Sequence, residues 1–196
     1  MGAHCFMGIV TSRRKFCDFV GLRLFGESYL YAFSYLLSPN HAGQRPLTYP
    51  AMITRVNNLE RASAKYGIKC PSGYASNFDD EAPPNLGESN AFRLLVADIS
   101  LSLAIDELIN TADADLKKNN VVLPSELEIN RIASRFSLVV PAEGCKSLAD
   151  IINAGWIAFL NPDLWKNVPQ VLKKRDAIVK ELTLKTIEVF QIEKIP

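Results

Sequence analysis

Histidine is the scarcest chemically useful residue in this chain of 196 amino acids, which contains only His4 and His41. A zinc ligand or the base of a hydrolytic triad would have to be one of these two, and neither stands near a second Cys-His pair at zinc spacing. The sequence also lacks a G-x-S-x-G elbow, a phosphate-binding glycine loop, a dinucleotide-binding glycine pattern and an H-E-x-x-H pair. We therefore predict no catalytic residue, no bound metal and no cofactor.

Cysteine residues are also few, and the net charge is close to zero. The four cysteines, Cys5, Cys17, Cys70 and Cys145, form no C-x-x-C pair. A chain of this length can fold without disulfides, so we predict reduced thiols and a cytoplasmic protein. The net charge of +1, with no basic stripe, argues against nucleic-acid partners.

Long uncharged apolar runs are absent as well. The most apolar stretch is interrupted by Asp18, Arg23 and Glu27, whose charges would be costly in a bilayer. The start of the chain, MGAHCFMGIV, has no basic region before its apolar residues and does not fit a signal peptide. The sequence thus predicts no membrane partner.

That interrupted stretch, Phe16 to Leu37, is the most prominent feature that is present. It holds seven of the eighteen aromatic residues, and its apolar positions occupy every side of a helix. A helix of this kind is buried, so we predict that it lies at the centre of a hydrophobic core. We expect an all-α fold, a single domain over residues 1–196 built as a bundle of about six helices around this one.

The remaining helices are predicted from apolar residues at three- and four-residue steps. A second helix starts at Thr48 or Tyr49 and ends at Gly67, and a mobile, exposed loop follows at about 67–86. A third helix at about 89–116 has an apolar face that we expect to turn inward. Ser125 to Glu128 reads as a capping box, Ser147 to Asp150 starts another helix that Pro162 stops, and the last helix runs from about Val168 to Gln191. The apolar face of the third helix comprises Phe92, Leu95, Val96, Ile99, Leu103, Ile109, Ala112 and Leu116.

Charge is unevenly distributed along the chain. Residues 1–70 carry nine Lys and Arg against three Asp and Glu, residues 71–130 carry three against eleven, and residues 131–196 carry ten against seven. We expect the acidic middle either to pack beside the basic ends or to meet them across an oligomer interface. The predicted interaction surface consists of Asp98, Asp106, Asp113, Lys173, Lys174 and Arg175.

Asp18 is the most informative polar residue, because a carboxylate within an apolar helix must be paired or hydrogen-bonded. Arg14, four residues before it, and Arg23, five residues after it, are the local partners. The interpretation that we favour is a structural pairing, and the alternative is that Asp18 orients another group.

The stretch from about Ser12 to Leu59 resembles the downstream part of gluzincin-type zinc metallopeptidase domains. The resemblance is carried by FCDFVGLRLFGESYLYAFSYLL and RPLTYPAMITRVNNL. It matches Asp18 to the family's Asp beside the zinc ligands, and Tyr49-Pro50 with Arg55 to its later His-Pro and Arg. Arg14 stands where an acidic ligand is expected, Tyr49 replaces the His, and the H-E-x-x-H helix is absent. The resemblance therefore implies a relic or separated half of such a domain, without catalytic metal.

Two functions follow from these observations. The first is a non-catalytic helical protein that acts by protein–protein contact or self-association, so that its partner is another protein or a second copy. The alternative is a metal-dependent hydrolase that uses His4, His41 and carboxylates such as Asp18, or Asp79, Asp80 and Glu81 from the long loop.

Overall fold

The computed structural model describes residues 15–38, 45, 50–79, 81–82 and 84–195. Over these residues, all regular structure is helical: seven α-helices and three short 3-10 helices, with no strand. The predicted all-α bundle is confirmed. The chain divides into two compact units, Met1–Val122 (unit 1) and Leu123–Pro196 (unit 2). The expected single domain over 1–196 stays a prediction.

The described residues of unit 1 form four α-helices: α1 (residues 15–25), α2 (Glu27–Leu37), α3 (Met52–Tyr66) and α4 (Glu88–Lys118), with a 3-10 helix at Tyr74–Asn77. All of them contribute to one hydrophobic core. Its buried side chains are Phe19, Leu22, Leu30, Phe33, Met52, Val56, Leu59, Ala62, Tyr66, Tyr74, Phe78, Ile105, Ile109 and Ala112.

The prediction of one continuous helix from Phe16 to Leu37 is wrong, because Gly26 interrupts it. Its φ of 60° and ψ of −137° lie where a residue with a Cβ is strained, and this conformation separates α1 from α2. Each helix then buries its own face, with Phe19 inside on α1 and Phe33 inside on α2. The buried faces of α1 and α2 are therefore separate, and read as one helix their apolar residues occupy every side. The predicted aromatic core is present, although Tyr35 is exposed.

The segment after α3 is only partly what the sequence suggests. Gly67 ends α3 in the left-handed conformation, with φ of 69°, as predicted. The expectation of an exposed, irregular loop is wrong at Tyr74 and Phe78, whose rings are buried with their centroids 5.3 Å apart. The Tyr74 hydroxyl donates to the carbonyl oxygen of Leu30 at 3.2 Å. These two aromatics attach the segment to the core, and its mobility stays a prediction.

Helix α4 buries a different row of residues from the one predicted for its first half. The buried side chains are Leu94, Leu101, Ile105, Ile109 and Ala112. The sequence offers two apolar rows over residues 91–105, and α4 turns the row with Leu94, Leu101 and Ile105 inward. The other row is exposed: Phe92, Leu95, Val96, Ile99 and Leu103, called the α4 stripe below.

Unit 2 consists of α5 (Glu126–Ser137), α6 (Leu148–Leu160) and α7 (Arg175–Ile192), with 3-10 helices at Pro162–Trp165 and Pro169–Lys174. Helix α6 packs against both α5 and α7. Helix α6 ends two residues before Pro162, as predicted, whereas the residues from Pro169 to Lys174 precede α7 as a 3-10 helix. The core contains Ile132, Ala133, Phe136, Ala142, Cys145, Ile151, Ala154, Ala158, Trp165, Val171, Val179 and Leu182.

The start of α5 is capped differently from the prediction. The Ser125 side chain makes no cap hydrogen bond, and Glu128 instead pairs with Arg131 and Lys146. The Ser125 amide donates to Oδ1 of Asp150 at 2.7 Å. The predicted start of α6 is confirmed, because the Ser147 hydroxyl oxygen accepts from the Asp150 amide at 3.1 Å. A carboxylate on α6 thus accepts the Ser125 amide, which the predicted capping box assigned to Glu128.

Candidate functional site

Asp18 on α1 is the centre of a buried polar cluster in unit 1. Its Oδ1 accepts from Nη2 of Arg55 at 2.9 Å, and its Oδ2 accepts from Nε of Arg55 at 3.0 Å. The Tyr29 hydroxyl also donates to Oδ1, at 2.8 Å. Asp18 is therefore paired and hydrogen-bonded, as its position in an apolar stretch requires.

The partner of Asp18 differs from the local one that the sequence suggested. Arg23 does not reach it, because Nε of Arg23 donates to Oδ1 of Asp113 at 2.9 Å. Arg14 lies outside the described residues. The observed partner, Arg55, is on α3, 37 residues away in sequence. Asp18 and Arg55 are two of the residues that carry the metallopeptidase resemblance.

The surroundings of this ion pair are apolar on one side and charged on the other. The Arg55 guanidinium carbon lies 4.8 Å from the centroid of the Phe33 ring. Burial, followed by the nearby Asp18 carboxylate, raises the pKa of Tyr29 far above its ordinary value, so this hydroxyl remains a donor. Lys15 is only 2% exposed, and its burial lowers the pKa to about 8, against the raising effect of Asp98.

The contacts of Asp18 are structural, because they join α1 to α2 and α3. Both of its carboxylate oxygens accept hydrogen bonds, from Arg55 and from the Tyr29 hydroxyl. Within the described part of the chain, no three His, Cys, Asp or Glu side chains are grouped so that they could hold a metal ion. His4, His41 and Asp80 lie outside the described residues.

The acidic loop residue Glu81 also has a structural contact. Its Oε2 accepts from the Met52 amide at 2.7 Å, at the first residue of α3. The free amides at a helix start favour a carboxylate, so Glu81 caps α3 from 29 residues away.

The three aspartates predicted as an interaction surface on α4 pair with arginines of the same unit. Asp98 binds Arg45 through two hydrogen bonds of 2.6 and 2.7 Å, and Asp106 pairs with Arg61. Asp113 pairs with Arg23 and with Lys117, four residues further along α4. Although partial burial opposes it, hydrogen bonding to Lys117 and Arg23 holds the pKa of Asp113 below its ordinary value. Of the two predicted uses of the acidic segment, the structure shows packing beside the basic N-terminal part.

The predicted basic cluster lies in unit 2. Lys173 and Lys174 are exposed at the end of the 3-10 helix Pro169–Lys174. Arg175 is half-buried, and its guanidinium carbon lies 5.4 Å from the centroid of the Phe159 ring. Part of this cluster therefore packs within unit 2.

The sequence pattern found the residues of the α4 stripe but not their role. Their exposed fractions run from 45% for Val96 to 83% for Leu103. They lie at steps of three and four residues, so they form one continuous face of the helix. Five large apolar side chains in one exposed row are typical of a surface that another protein covers. The sequence had assigned this row to the core.

Comparison with known proteins identifies no relative: no family model, no curated protein and no solved structure matches the chain. Among the helices of the described residues, none combines the length and the apolar character that crossing a bilayer requires.

Proposed function

We propose that this protein is non-catalytic and acts by associating with a protein surface through the α4 stripe. The observation that carries the proposal is the continuous exposed row Phe92, Leu95, Val96, Ile99 and Leu103 on the outward face of α4. A matching apolar helical face on a partner would cover it, as amphipathic helices do in grooves and bundles. The Asp18 cluster supports the same proposal, because its carboxylate is engaged in holding α1, α2 and α3 together.

The size of the stripe is sufficient for a measurable interaction. The exposed fractions of its five side chains add up to about three whole side chains. Burying one large apolar side chain contributes about 1.5–3 kcal/mol, so the stripe can contribute about 5–9 kcal/mol from this side of an interface. A partner face contributes a similar amount. The association itself costs about 4–15 kcal/mol in lost freedom, so we expect a modest affinity.

The proposal is tested by measuring the mass of the full chain in solution and the accessibility of the stripe. Light scattering after size exclusion, over a range of protein concentration, detects self-association. A fluorescent dye that binds exposed apolar surface detects a stripe that remains open. We expect one of the two signals in the unmodified protein, and we expect Leu103→Glu to reduce it, because a charge within an apolar contact is costly.

Leu127→Glu is the matched control. Leu127 is 76% exposed, close to the 83% of Leu103, but it stands on α5 and outside the stripe. The control should leave mass and dye binding unchanged. A protein that is monomeric, binds no dye and responds equally to the two substitutions would contradict the proposal.

The free cysteines support a reducing, cytoplasmic setting for this association. Cys17, Cys70 and Cys145 are unpaired within the described residues. This placement is part of the proposal. It is tested by the fraction of the three that carries a thiol label in freshly lysed cells.

We also propose that residues 12–59 derive from a metallopeptidase-like domain. The contact between Asp18 and Arg55 supports this, because both belong to the stretches that carry the resemblance. As a non-catalytic relic, the purified full chain should contain no stoichiometric zinc. Elemental analysis that found one zinc per chain would instead favour the hydrolase with His4 and His41.

A further inference from the structure

We infer that the partner of the α4 stripe is a different protein, which presents an apolar helical face with a lysine or arginine near each end. The inference rests on the proposed function, because it names the chemistry of the partner for that surface. Three observations support it: the charges at the two ends of the stripe, the uncharged surface between them, and the effect of these charges on a second copy of the chain.

An exposed acid stands beyond each end of the stripe. Glu88 is four residues before Phe92, and Glu107 is four residues after Leu103. Both glutamates are exposed, and neither forms an ion pair within the part of the chain that the structure describes. At about 100° of rotation per residue, both lie within about 65° of the centre line of the stripe, so both face a partner that covers it.

The neighbouring charges do not neutralise these two ends. Asp106 is already paired with Arg61. Arg93 is half-buried and lies about 100° from the centre line, on one flank of the helix. Between Arg93 and Asp106 the only charged residue is Asp98, which binds Arg45 through two hydrogen bonds. The surface offered to a partner is therefore an uncharged apolar row with an acid at each end.

These charges oppose pairing with a second copy of the chain. When two stripes pair antiparallel, with Phe92 against Leu103 of the other copy, Glu88 stands against Glu107 at both ends. In a parallel pair, each glutamate stands against the same glutamate of the other copy. Like charges repel in both arrangements, so the stripe disfavours its own copy and favours a partner of opposite charge.

The distance between the two acids sets the length of the partner. Glu88 and Glu107 are 19 residues apart, which corresponds to about 28 Å along α4. A partner helix of about 20 residues covers this span, with its apolar row against the stripe and one base near each glutamate. The two acids also repel an anionic lipid surface, which attracts basic segments. The chemistry of the stripe therefore favours a protein helix with basic ends.

Two synthetic probe helices test this inference with the full chain. Both peptides carry a fluorescent label and the same row of leucines. One peptide has lysine at two positions about 28 Å apart, and the other has glutamate at the same positions. Fluorescence anisotropy measures both affinities at low salt. We expect the lysine peptide to bind about tenfold more tightly, and the difference to fall below about threefold at about 0.5 M salt, since salt screens exposed charges.

Charge reversal links this preference to the two acids. The double variant Glu88→Lys with Glu107→Lys should bind the glutamate peptide about tenfold more tightly than the lysine peptide, since each end then carries the opposite charge. Arg93→Gln is the matched control, because it removes a charge on the flank of the same helix, and it should change the ratio of affinities by less than about twofold. Leu103→Glu should weaken the binding of both peptides, whereas Leu127→Glu should leave both unchanged. Far-ultraviolet circular dichroism checks that each variant keeps its helix content.

The outcomes separate this inference from the proposed function. Equal affinities for the two peptides, or a preference that survives charge reversal, would overturn the inference and leave the stripe as a docking surface. Dimers of the unmodified chain, or a chain that binds the apolar-surface dye but neither peptide, would do the same. Leu103-dependent binding to vesicles of anionic lipid would overturn both proposals, because the surface would then contact lipid. The absence of both peptide binding and dye binding would also overturn both.

Discussion

Replacing Asp18 by asparagine should lower the unfolding free energy of unit 1 by about 3–5 kcal/mol. The Arg55 guanidinium, whose side chain is 12% exposed, would then remain buried without its counter-charge. The asparagine has nearly the shape of aspartate but offers a single acceptor oxygen in place of two charged ones, so at least one donor from Arg55 or Tyr29 loses its partner. The loss of charge, and not of volume, therefore determines the magnitude.

Asp106→Asn is the matched control for this experiment. Asp106 also pairs with an arginine in unit 1, but both side chains of that pair are more than half exposed. Water screens such a pair, so the same chemical change should cost only about 0.2–1 kcal/mol.

The assay is urea unfolding followed by the near-ultraviolet circular dichroism of tyrosine. All six tyrosines lie in residues 1–122 and both tryptophans in residues 123–196, so the tyrosine signal reports on unit 1. With a urea dependence of about 2 kcal/mol per molar, a loss of 3–5 kcal/mol lowers the midpoint by about 2 M. The control should lower it by less than about 0.5 M.

Equal midpoints for Asp18→Asn and Asp106→Asn would refute the reasoning that burial makes the Asp18 pair costly to break. A further variant separates the lost charge from the lost contact. Asp18→Asn with Arg55→Met removes both charges and keeps the aliphatic stem, so it should be more stable than Asp18→Asn alone.

Three other outcomes follow from individual side chains. Burial lowers the pKa of Lys15 to about 8, below the 10.5 of the free side chain, so above pH 8 the unfolded chain binds more protons than the folded one. The unfolding free energy should therefore rise between pH 8 and 9. Urea midpoints measured at the two pH values should show this rise in the unmodified protein and not in Lys15→Met. Gly155→Ala should lower the unfolding free energy of unit 2 by about 1–3 kcal/mol, because the new Cβ would lie 2.7 Å from Oγ1 of Thr183. Unfolding followed by tryptophan fluorescence measures this loss, and adding Thr183→Ala should recover most of it. Exposed Cys17 should react with a thiol reagent at pH 8 well before Cys70, whose burial raises the pKa to about 11, and peptide mass spectrometry measures both rates.

The sequence predicted the elements whose signals are local. Gly67 ends α3 because a left-handed residue is needed there, and Ser147 starts α6 because its hydroxyl reaches the amide of Asp150 three residues later. Both depend only on residues within one turn. The spacing of apolar residues by three and four positions predicted α4, because this spacing is also a local feature of the sequence.

The features that the sequence did not predict depend on distant residues. Gly26 can stand within a helix or divide it, and the separate faces buried by α1 and α2 determine which occurs. The two apolar rows of α4 are similar in composition, so only packing against α1 and α3 distinguishes the buried Ile105 from the exposed Leu103. The partner of Asp18, Arg55, lies on another helix, although Arg14 and Arg23 are closer to Asp18 in sequence.

The cap that Glu81 places on α3 constrains how this protein can be re-engineered. The segment of residues 67–81 looks suitable for trimming or for insertion of a tag, because its described residues form no α-helix. Shortening it would withdraw the carboxylate from the Met52 amide and uncouple the first turn of α3. Insertions should be placed before Tyr74, so that both the aromatic attachment and the carboxylate keep their positions. The number of residues from Tyr74 to Glu81 is therefore constrained by two contacts, the buried ring at one end and the capping carboxylate at the other.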